Sequence, residues 1–159
     1  MPCERGHAFC LVFVYFYTMT AEEIKVRIHH ACPLLAESSA VFSELVNFFL
    51  GESKIVPNFG ELPRLLAPHR LFRVIRVCGS SIPDCAVRLI DEHPEFTGAK
   101  GMLRYYRCPP GVNWRDVERA EDELGNAMLM DVYGWTPDGF TLFETADAGK
   151  FELVAILAF

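Results

Sequence analysis

The chain has 159 residues, 51% of them apolar and 23% charged, with a net charge of −6. That mixture excludes a disordered polymer and suits a single folded domain, 1–159, able to bury about two-thirds of its unfolded surface. An acidic balance also counts against general nucleic-acid binding, whose footprint is a basic surface.

The first strong pattern is the β-rich run 9–17, Phe9-Cys10-Leu11-Val12-Phe13-Val14-Tyr15-Phe16-Tyr17, which reads as a buried strand. Met19-Thr20-Ala21-Glu22-Glu23 offers an alternative start, which would make residues 1–18 an upstream extension. At about ten residues the apolar run is too short to cross a bilayer, and no cleavage signal follows it. Six scattered cysteines then suggest free thiols in a reducing, cytoplasmic compartment.

Residues 23–30 carry two conflicting signals. Ile24, Val26 and Ile28 alternate with Lys25, Arg27 and His29, as in a strand, yet Thr20 and Glu23 have capping-box spacing. The alternation of β-branched residues decides for a strand. From Pro33, apolar positions Leu34/Leu35, Val41/Phe42, Leu45 and Phe48/Phe49 recur at helical steps up to Gly51, predicting a helix of about 17 residues. Pro57, Gly60, Pro63 and Pro68 make 51–69 a loop with one helical turn at 61–67.

Residues 71–78 form the next strand, and Ser80 or Ser81 caps a helix from Ile82 to His93, stopped by Pro94. After a loop at 94–101 comes a strand at 102–107, broken by Pro109-Pro110-Gly111. Asn113 and Asp116 then have N-cap spacing, and Val117, Ala120, Leu124 and Ala127/Met128 line one face of a helix over 114–131. A turn-rich link at 133–139 leads to two β-rich runs, Phe140–Thr145 and Phe151–Phe159, joined by a short loop with Asp and Gly, which reads as a hairpin. Glu152 is the only polar side chain of the last run. Strand side chains alternate between faces, so this run needs cover on both and belongs inside the sheet. The expected architecture is α+β: a mixed or mostly antiparallel sheet of four to six strands with about three helices packed on it.

Charge divides along the chain. Residues 1–111 hold twelve Lys/Arg against eleven Asp/Glu; residues 112–159 hold three against ten. The basic excess lies between Arg64 and Arg107, the acidic one on the 114–131 helix, where helical spacing puts Glu118, Glu121 and Asp122 on one exposed side beside Glu123. Such a face can meet a protein with a basic surface.

Three other constellations carry chemistry. Cys78-Gly79-Ser80-Ser81 lies between a strand and a helix start, where backbone N–H groups at Gly79, Ser80 and Ser81 can hold an anion. Cys78 there would be an activated nucleophile, with His93 or His69 as partner, in a transferase or hydrolase. The cysteine-phosphatase spacing fails, because Asp84 stands where the arginine should be. Cys3, His7, Cys10, His29, His30 and Cys32 lack standard zinc spacing, so no metal or other cofactor is expected. Arg104-Tyr105-Tyr106-Arg107 interleaves cations with aromatics, as a base-stacking strand would. Nucleotide loops, H-E-x-x-H and G-x-S-x-G are absent. With no coherent catalytic set, the sequence favours a small inhibitory or regulatory binding protein acting through the acidic helix. An enzyme using Cys78 and a nucleic-acid module using the Arg-rich middle are the alternatives.

Overall fold

Every described helix packs on a sheet centred on the final strand. The computed structural model describes residues 19–50, 71–128, 140–144 and 150–159. Within them lie α1 (Ala21–Ala31), α2 (Ala40–Leu50), β1 (Phe72–Gly79), α3 (Ile82–Glu92), a 3-10 turn (Pro94–Gly98), β2 (Gly101–Cys108), α4 (Trp114–Met128), β3 (Phe140–Glu144) and β4 (Phe151–Ala158). The architecture is α+β, with four described α-helices where about three were expected. The strands form one mixed sheet in the order β1-β4-β2-β3.

β4 is central because it is apolar on both faces. Val154, Ile156 and Ala158 point into one core with Leu103, Tyr105 and the inner sides of α1 and α2. Leu153, Ala155 and Leu157 point into a second core with Ile75, Val77, Met102, Tyr106, α3 and α4. All six are fully buried. Each large aliphatic among them contributes about 1.5–3 kcal/mol by leaving water, which outweighs the entropy of fixing its rotamer.

The expected hairpin between 140–145 and 151–159 does not form. β4 pairs antiparallel with β1 and β2, while β3 lies beyond β2 and runs parallel to it. A local loop signal promised a neighbour pair, but β4 needs a long, apolar partner on each side. The eight-residue strands β1 and β2 provide both, and the shorter β3 is left at the rim.

Residues 21–31 are a helix, correcting the strand expected at 23–30. Both arms of the capping box are made: Thr20 Oγ1 accepts from the Glu23 N–H at 3.2 Å, and the Thr20 N–H donates to Glu23 Oε2 at 2.8 Å. Only Ile24 and Ile28, one turn apart, are buried, while Val26 is exposed. Satisfying the helix's first N–H groups and burying one stripe outweighs the β preference of three branched residues. The next helix is shorter than expected. Turns occupy 33–38, and α2 begins after Ser39, whose Oγ accepts from the Phe42 N–H at 3.1 Å. The expected strand at 9–17, the loop at 51–69, the last residues of the 114–131 helix and the link at 133–139 lie outside the described residues.

Candidate functional site

α4 begins where Asn113 Oδ1 accepts the Arg115 N–H at 3.0 Å. Val117, Ala120, Leu124 and Met128 are buried in the second core, and Glu118, Asp122 and Glu123 are exposed. Glu121 leaves this acidic set. It sits four residues after Val117 and three before Leu124, at the edge of the buried stripe. Its side chain is only 12% exposed, turned toward β2. The expectation that Glu118, Glu121 and Asp122 share one exposed side is therefore corrected: their spacing straddles the boundary between buried and wet.

Glu121 meets the Arg104-Tyr105-Tyr106-Arg107 segment. Arg104, 1% exposed, donates from Nε to both Glu121 oxygens at 2.9 and 2.8 Å and from an Nη as well. Tyr106 Oη donates to Glu121 Oε1 at 2.5 Å. On the opposite face, Tyr105 Oη donates to Glu44 Oε2 on α2 at 2.7 Å, and Glu44 also holds Arg76 of β1. Arg76 reaches on to Glu152 at 3.3 Å, and the Arg107 guanidinium lies 5.7 Å from the Tyr105 ring centre. Burial, reinforced by the neighbouring carboxylates, raises the pKa of both tyrosines. These two arrangements anchor helices to the sheet, and Tyr105 and Tyr106 are buried, so the stacking role for this segment is not supported. Sequence reasoning missed the pairing, although one clue was present. Adjacent tyrosines in a strand point to opposite faces, and if both faces are covered each hydroxyl needs a partner. Glu44, alone among Val41, Phe42, Leu45 and Phe48, was such a partner.

The Cys78–Ser81 loop is occupied by the chain itself. Asp84 Oδ2 accepts from the Ser80 N–H at 2.7 Å, from Ser80 Oγ at 3.1 Å and from Arg88 Nε at 3.3 Å. Ser81 Oγ caps α3 by accepting the Asp84 N–H at 3.1 Å. The Ser80 N–H, foremost, holds the Asp84 carboxyl below its ordinary range against the opposing effect of burial. A Cβ at Gly79 would stand 2.8 Å from Asp84 Oδ2 and 2.9 Å from the Cys85 nitrogen, so glycine permits this close approach. The anion cradle assigned to Gly79, Ser80 and Ser81 thus already holds a carboxylate. Cys78 is an exposed free thiol, but His93 caps the far end of α3, a rise of about 16 Å away. His93 lies 3.4 Å from Glu95, and the fold does not bring it to Cys78. Burial raises the Cys85 thiol to about 12, leaving it inert. His69, Cys3, His7 and Cys10 lie outside the described residues, among which no His/Cys/Asp/Glu group is arranged to hold a metal ion.

The described arginines of the basic middle are matched by carboxylates: Arg73 with Glu95, Arg76 with Glu44 and Glu152, Arg88 with Asp84, Arg104 with Glu121, Arg107 with Glu152. Glu118, Asp122 and Glu123 make no ion pair with described residues. Among the described residues no helix is long and apolar enough to cross a membrane.

No family model matches the chain, and no curated protein does. Solved structures do. A point mutant of FtsZ from M. jannaschii superposes with a TM-score of 0.54 at 13% identity, over 72% of this chain and 36% of that one. An empty FtsZ dimer from the same organism gives 0.53 at 10% identity, over 85% and 43%. The chain spans less than half the length of these proteins, and at such identities the likeness is one of fold.

Proposed function

We propose that this protein binds a partner protein with a basic surface, in an inhibitory or regulatory role, using the wet face of α4. The observation that supports the reading is the contrast between spent and unspent charge. The arginines of β1, β2 and α3 already hold carboxylates, whereas Glu118, Asp122 and Glu123 stand exposed with no described ion-pair partner. Glu118 and Asp122 are four residues apart on a helix, where like charges destabilise by about 0.2–0.5 kcal/mol. A cationic surface would relieve that repulsion, and its approach would be steered by the field of the patch. Cys32, Cys78 and Cys85 are free thiols, in keeping with a reducing cytoplasmic setting.

The test is affinity capture from the source cell, with the wild type and Glu118→Lys/Asp122→Lys/Glu123→Lys as parallel baits. The reading expects a protein retained at low salt, released as salt rises, and lost from the variant while its circular dichroism stays native. Identical capture by the two baits would remove the α4 face as the contact.

A further inference from the structure

We draw no further inference here: the strongest candidate, the side-chain cluster at one end of the sheet where Cys78 of β1 and Arg107 of β2 stand on either side of Glu152 of β4, rests on a lone exposed thiol, because Arg76 and Arg107 are already paired with carboxylates and nothing among the described residues points to a ligand there.

Discussion

The two faces of β2 carry the same three residue types and use them differently. On the face toward α4, Arg104, Glu121 and Tyr106 are closed in, with the guanidinium 1% exposed. On the face toward α2, Tyr105 and Glu44 are buried, but the cation that completes them, Arg76, has a side chain 42% exposed. A buried ion pair is sustained only by its partner, because either charge left alone stays out of water. A rim cation can be lost and replaced by solvent. The comparison teaches that composition does not set the worth of a salt bridge; its depth does.

Breaking the closed side should give the largest effect. Arg104→Met leaves Glu121 facing the core without its cation and should cost about 3–5 kcal/mol in urea unfolding. Arg76→Met, its counterpart on the open side, should cost less, about 1–3 kcal/mol, because water can take the place of the half-exposed cation although Glu44 itself stays buried. Equal losses would show that both faces are equally dry.

The tyrosines sharpen the contrast. Tyr106→Phe takes one donor from Glu121 and should cost about 1–3 kcal/mol. Tyr106 has a raised pKa in the folded state, so the fold favours the protonated phenol. Its contribution is complete below about pH 10, the unfolded value, and is lost as pH rises through the folded value. Urea midpoints measured from about pH 8 to about pH 11 should fall in the wild type and fall less in Tyr106→Phe. Asp84 gives the smallest effect and the opposite sign. Its depressed pKa means a contribution present above about pH 4 that fades as pH drops through the folded value. Asp84→Asn should weaken that acid dependence slightly, read as a thermal midpoint on either side of that range.

The same contrast marks what the sequence could disclose. β4 was legible as an interior strand because a run apolar on both faces has few other places to go. α3 was legible because Ser81 and Pro83 announce its start and Pro94 its stop. What stayed hidden was set at long range. Thr20 and Glu23 did signal α1, but the alternation of Ile24, Val26 and Ile28 obscured it until burial showed Val26 in solvent. The place of β3 beyond β2 depends on which strands β4 recruits, and no local turn encodes that. Spacing alone sets Glu121 apart from Glu118, four residues after Val117 and three before Leu124, but its partner Arg104 is fixed only by the packing of α4 on β2.

That separation is the claim on which the reading of the acidic helix rests: one side of α4 is tied to the sheet and the other is left to a partner. Urea unfolding of Glu121→Gln beside Glu118→Gln tests it most directly. Glu121→Gln strands the Arg104 cation and should lose about 3 kcal/mol or more, while Glu118→Gln should stay within about 0.5 kcal/mol of wild type. Two variants of equal stability would contradict the assignment.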